Sequence, residues 1–159
     1  MTYSTYEHAG FVLRYADIEE ACYRLWSIKD VQDNCSFKPE NGSYSNFASG
    51  EWFKTVSPQI EKRGSQLLAL ILHSDATTGI TNFNGRCCHP VSMTFGNLPL
   101  SHINNAASRI TIGYFPVFPK KTEKRLKVRC MQRFYEKLLL PLTLKRGTST
   151  SRQIPTASS

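Results

Sequence analysis

Few residues in this 159-residue chain have the chemistry of a site, and most of them lie in its second half. Asp75 directly follows an almost unbroken aliphatic run, Gln66–Ser74 (QLLALILHS). A carboxylate at the end of a rigid strand has a fixed direction, which suits a ligand for a hard cation. The same aspartate, ahead of Thr77, Thr78 and Gly79, also fits a turn that ends a strand, and the residues alone leave both readings open. Arg125, Arg129, Arg133 and Lys137 recur every four residues, so on a helix they form one basic row. Such a row is either a solvated face or a contact for phosphate backbones; the second predicts steeply salt-sensitive, sequence-independent binding. His73 reads as a strand residue rather than a general base, Trp26, Trp52 and Phe53 as packing aromatics, and Asn82 and Asn97 as turn residues.

The cysteines narrow the chemistry further. Cys22, Cys35, Cys87, Cys88 and Cys130 are odd in number and contain no CxxC pair, so neither a disulfide framework nor a zinc site is expected, even with His89 beside Cys88. That pattern favours a reducing compartment. No apolar run approaches the ~20 residues of a membrane span, the longest being Leu67–Leu72, and the first residues lack the basic and apolar regions of a secretory signal. Membrane and secreted classes are therefore not expected.

Charge is divided unevenly. The net value is +8, but residues 1–75 carry seven Lys/Arg against ten Asp/Glu, whereas residues 76–159 carry thirteen Lys/Arg against Glu123 and Glu136 alone. A basic half of this kind attracts polyanions, although it also serves simple solubility.

The elements that must hold these residues follow from periodicity. Asp17 is placed to cap a helix over 18–28, with Glu20 completing a capping box and Ile18, Ala21, Cys22, Leu25 and Ile28 on one face. Residues 33–50, rich in Asn, Ser, Gly and Pro, read as an irregular connection. Glu51–Ile60 forms a short helical segment, limited by Pro58. Gln66–Ser74, apolar on both faces, suits a central strand covered on both sides. His89–Gly96 alternates with Val91, Met93 and Phe95 inward; Arg109–Phe115 alternates with Ile110, Ile112 and Tyr114 on one side. A helix over Glu123–Leu140 follows, with Leu126, Cys130, Phe134 and Leu138 as its apolar row, widened by Met131, Tyr135 and Leu142, and closed by Pro141. From Lys145 the Ser/Thr-rich chain reads as disordered.

Strand, strand, strand, helix, with a carboxylate after the first strand, is the opening of a ribonuclease-H-like α+β fold. Three local patterns sharpen it: Ser74–Thr77 with Thr81–Phe83, the strand and turn His89–Pro99 (HPVSMTFGNLP), and the strand Arg109–Val117 (RITIGYFPV). With the lead-in Glu51–Lys62, they resemble, in order and spacing over roughly residues 50–140, the transposases of Plavaka elements, fungal members of the Kyakuja–Dileera–Zisupton superfamily.

The resemblance implies a DDE-type nuclease, in which two aspartates and a glutamate hold two divalent ions, Mg2+ or Mn2+, for in-line phosphoryl transfer. Asp75 is the position matching the first of these carboxylates. The second and third should follow the helix, yet after Asp75 the acidic residues are Glu123 and Glu136. Ala76 also stands where the family commonly has lysine, and Leu100–Ala107 lacks the usual basic residues. The expectation is therefore a fragment: a helical and irregular segment over 1–50, a truncated ribonuclease-H-like domain over 51–143 and a tail over 144–159. Such a fragment is expected to be inactive alone and of marginal stability. The alternative is a small basic protein derived from a transposon that binds nucleic acid or associates with an intact transposase. DNA as partner implies the nucleus, with the cytoplasm as the other possibility.

Overall fold

The computed structural model describes residues 1–39, 47–74 and 89–144. The fold is α+β. Its elements run β1 (Tyr3–His8), β2 (Phe11–Ala16), α1 (Ile18–Trp26), α2 (Lys29–Asn34), α3 (Glu51–Glu61), β3 (Leu70–Ser74), β4 (His89–Phe95), α4 (Leu100–Ile103), β5 (Ile110–Phe115) and α5 (Lys124–Leu144). The strands form one five-stranded sheet in the order β1-β2-β5-β4-β3. By contacts the chain divides into two compact units, one of Met1–Tyr23, Ser74–Val91 and Ile112–Ser159, the other of Arg24–His73 and Ser92–Thr111.

The expected three-stranded meander is there as β3, β4 and β5, adjacent in chain order, but it is not the whole sheet. Residues 3–16, expected to be part of a helical and irregular segment, form an antiparallel hairpin instead, in register from Tyr3↔Ala16 to His8↔Phe11. Its two-residue turn is Ala9–Gly10, both at positive φ (53° and 76°), as a right-twisted hairpin demands. β2 then pairs antiparallel with β5 through Arg14↔Tyr114 and Tyr15↔Gly113. That crossing requires glycine: a Cβ on Gly113 would stand 2.9 Å from the Arg14 carbonyl oxygen.

The same unit holds α5 against the hairpin. Cys130, Phe134 and Leu138, three of the four residues of the expected apolar row, are fully buried, whereas Leu126 is only half-buried and Leu142 is exposed. Phe134 stacks on Phe115 of β5 (6.0 Å, 24°) and meets the Tyr6 ring edge-on (6.2 Å, 88°), and Tyr135 closes on Phe115 at 5.0 Å. Pro141 does not close this helix. It lies within it, and the chain stays helical to Leu144. A proline lacks the N–H for the carbonyl four residues earlier, so one helical hydrogen bond, that to Lys137, is missing near the helix end.

In the other unit, β3 and β4 run antiparallel: Gly96 N–H donates to the Ala69 carbonyl (2.8 Å) and the Ser92 hydroxyl to that of His73 (3.5 Å). β3 is the last strand in the order and is not covered on both sides as its composition suits: Leu70, Ile71 and Leu72 are half-buried and His73 and Ser74 exposed. The middle strand is β5, where Ile112 and Phe115 are both buried on opposite faces. On β4, Val91, Met93 and Phe95 are fully buried, as the alternation predicts.

α1 starts where Asp17 was expected to cap it, the carboxylate accepting from the N–H groups of Glu19 (2.8 Å) and Glu20 (3.0 Å). It stops at Trp26 rather than 28, leaving Ile28 exposed before α2. α3 contains Pro58 rather than ending on it. Its terminator is Gly64 at φ 70°, where Gly64 N–H donates to Glu61 (2.8 Å) and Ser65 N–H reaches back to Ile60 (3.3 Å), the Schellman pattern.

Asn97 does more than end β4. Its side chain is 1% exposed and joins three backbone segments: Oδ1 accepts from Ala69 N–H (2.8 Å), while Nδ2 donates to the carbonyls of Ser36 and Leu67 (2.9 Å each). Two of those partners lie in the lead-in to β3, so this amide fixes the approach to the strand that Asp75 follows. Asp75 itself, Asn82, Cys87, Cys88 and the tail from Lys145 lie outside the described residues.

Candidate nucleic-acid interface

The basic row belongs to α5, and the core under that helix decides which way each cation faces. With Cys130, Phe134 and Leu138 turned inward, Lys124, Arg125, Arg129 and Arg133 come to the exposed side. Lys120 and Lys121, in the turn closed by Thr122 N–H on the Pro119 carbonyl (2.9 Å), are exposed as well, and Lys127 is half-buried.

Lys137, the fourth residue of the row, behaves differently. It is half-buried, and its ammonium lies over the rings of Tyr6 (5.7 Å) and Tyr15 (6.0 Å) on the hairpin. A cation over an aromatic face is held by the ring quadrupole and is less free to meet a ligand. Beside it lies a small hollow of about 200 Å3, lined among others by Ser4, Tyr15, Asp17, Lys137 and Pro141. Arg133 is partly engaged too, since its guanidinium donates to the Glu136 carboxylate at 2.8 Å. Both groups are more than half exposed, so that pair is screened and exchangeable. The aromatic shelf under Lys137 was not read from the sequence because the hairpin that supplies it was not.

Asp75, the expected metal ligand, lies outside the described residues. Among the described residues no three His, Cys, Asp or Glu side chains gather closely enough to hold an ion. Glu123 is exposed just ahead of α5, and Glu136 faces Arg133. Burial pushes the Cys22 thiol up to about 11, with Glu19 and Asp17 adding to the effect, and pushes Cys35 up to about 12. Neither thiol is a thiolate ligand or nucleophile at neutral pH. Asp30, His102 and Ser101 form a short polar line, His102 Nε2 at 3.6 Å from Asp30 and Nδ1 at 3.2 Å from the Ser101 hydroxyl. The Asp30 side chain is 56% exposed, unlike the buried acid of a serine nucleophile's triad, so this line is a surface polar contact. Trp52, expected in the packing, is 56% exposed, whereas Phe53 is fully buried.

The family model of the Plavaka transposase matches residues 3–144. The chain belongs to the Plavaka transposase family. Its match starts at Tyr3 and so takes in the β1–β2 hairpin as well as the strands and helix that carry the local motifs. Comparisons with curated proteins and with solved structures gave no match. Among the described residues no helix of this Plavaka chain is long and apolar enough to cross a membrane.

Proposed function

We propose that this chain is a fragment of the catalytic domain of a DDE-type DNA transposase that holds DNA through α5 but does not cut it alone. The observation that carries this reading is the Plavaka match over residues 3–144. The adjacency of β3, β4 and β5 in the sheet, followed by α5, supports a ribonuclease-H-like ancestry. In that ancestry Asp75 is the first carboxylate of a Mg2+ or Mn2+ set. Asp75 lies outside the described residues, Glu123 is exposed just ahead of α5 and Glu136 is exposed on it, and no catalytic step is derived through a metal. In this reading Arg125 and Arg129 contact DNA phosphates without reading bases, and the nucleus is the compartment it implies.

The test is binding and nicking of plasmid DNA by the purified chain, with Mg2+ or Mn2+ present, beside Asp75→Asn. Expected is salt-sensitive binding with no nicking in either protein. Nicking abolished by Asp75→Asn would show a working site and overturn the inactivity; absence of binding even at low ionic strength would reject the DNA contact. A second reading, association with an intact transposase, is favoured by the place of β3 at the end of the strand order. Co-elution of the two proteins tests it, and separate elution rejects it.

A further inference from the structure

The cations of α5 are not equivalent, and their differences locate the ligand. Residues 120–133 hold Lys120, Lys121, Lys124, Arg125, Lys127, Arg129 and Arg133 against the single acid Glu123. Toward the end of the helix the row fades: Arg133 leans on Glu136, and Lys137 is drawn over two tyrosine rings. The positive charge that is free to act therefore sits in the first half of the helix and in the turn before it.

That distribution is costly to the helix itself. Its first turn contains Lys124, Arg125 and Lys127 and no acidic residue. The N-terminal end of a helix carries partial positive charge, so cations there are disfavoured and anions favoured. The acids that stabilise α1 in the same position, Glu19 and Glu20, have no counterpart within α5. Glu123, whose carbonyl accepts from Lys127 N–H (3.1 Å), is the one acid at that end, and a polyanion laid along the helix would offset the cations that outnumber it.

We infer that Lys120, Lys121, Lys124, Arg125 and Arg129 form one compact patch for the sugar-phosphate backbone of double-stranded DNA, and that Lys137 is a packing cation outside it. The inference rests on the DNA-binding reading above and specifies where and how that binding occurs. From Lys124 to Arg129 the helix rises about 7.5 Å, roughly two phosphate steps of one strand, and Lys120 and Lys121 extend the patch beyond its first turn. The occupant is duplex rather than single-stranded, because residues 119–133 (PKKTEKRLKVRCMQR) include no aromatic on which a base could stack. It is not a lipid surface either: Val128 is the one exposed large hydrophobic residue within the patch, too little to enter a bilayer.

Fluorescence anisotropy of the full chain with a labelled duplex of arbitrary sequence, titrated with KCl, separates these statements. The triple variant Lys120→Gln/Lys121→Gln/Lys124→Gln should lower the magnitude of the log–log salt slope by about 2.7, about 0.9 for each lost phosphate contact, and weaken binding at low salt more than tenfold. Lys137→Met, which keeps the aliphatic stem on the rings, should leave both quantities unchanged. Circular dichroism of each variant checks that the fold is retained. If the wild type binds but the triple variant matches it, or Lys137→Met is as damaging, the patch is wrong and the DNA reading stands. If the wild type does not bind at all, the DNA reading itself fails. Tighter binding of the single strand, or of anionic phosphatidylserine vesicles, would overturn the assignment of the occupant.

Discussion

Replacing Asn97 with alanine removes one buried amide and three hydrogen bonds at once, those to Ala69 N–H, Ser36 C=O and Leu67 C=O. A net contribution of about 1 kcal/mol per bond gives about 3 kcal/mol, and backbone groups left without partners in a buried site add to it. Partial entry of water offsets some of that addition, so the expected loss is about 3–5 kcal/mol, a large part of the roughly 5–15 kcal/mol that stabilises a domain. Urea unfolding followed by tryptophan fluorescence is a suitable assay, because Trp26 packs against Phe37 (5.7 Å) and Phe95 (6.3 Å) in the same unit. Asn97→Asp is the sharper control. It keeps the acceptor for Ala69 N–H but turns a carboxylate toward two carbonyl oxygens. Burial and those dipoles should raise its folded-state pKa above the unfolded value, so the variant is most stable below the unfolded carboxyl pKa and loses stability as pH rises through the folded one. Hydrogen exchange should show the accompanying loss of protection at Ala69 and through β3. A loss below about 1 kcal/mol for Asn97→Ala would refute the reasoning, since water would then be serving all three backbone groups as well as the amide does.

Gly113→Ala should destabilise by about 1–3 kcal/mol in the same denaturation assay, because its Cβ meets a strand carbonyl at 2.9 Å and neither backbone can retreat without breaking the β2–β5 pairing. Ala9→Gly should do the reverse and stabilise by about 0.5–1 kcal/mol, relieving a side chain held at φ 53° in the hairpin turn; an unchanged midpoint would count against that turn geometry. In a Cys87→Ser/Cys88→Ser background, the native thiols of Cys22 and Cys35 should resist disulfide-exchange reagents at neutral pH and react at once in urea. With folded pKa values raised to about 11 and about 12 from the ordinary 9.0, their stabilising contribution is complete below pH 9.0 and disappears as pH rises through those values.

The parts of this fold that sequence made legible are those where one local signal and the burial agree. Val91, Met93 and Phe95 alternate on β4 and are all buried; Cys130, Phe134 and Leu138 repeat by four on α5 and are all buried; Asp17 caps α1 as its position suggests. Gln66–Ser74 is apolar on both faces, which suits a central strand, but that composition is equally compatible with the half-buried last strand that β3 is. The hairpin had a readable alternation in Phe11, Leu13 and Tyr15 against Val12 and Arg14. Its turn, Ala-Gly rather than Asn-Gly, lacked the strongest hairpin signature, and one residue had to accept an unfavourable φ to make it.

Missing that hairpin had a consequence for the site. A spacing of four makes Arg125, Arg129, Arg133 and Lys137 look like one row with one purpose, because helical geometry alone cannot distinguish its members. What distinguishes them is tertiary: the hairpin strands bearing Tyr6 and Tyr15 hold Lys137 half-buried over their rings, while Lys124 and Arg125 are exposed. The same packing that buries Phe134 against Phe115 and Tyr6 turns Arg129 outward. Residues 3–16, more than a hundred positions earlier in the chain, thus decide which cation of the row is held by packing and which are left exposed on α5.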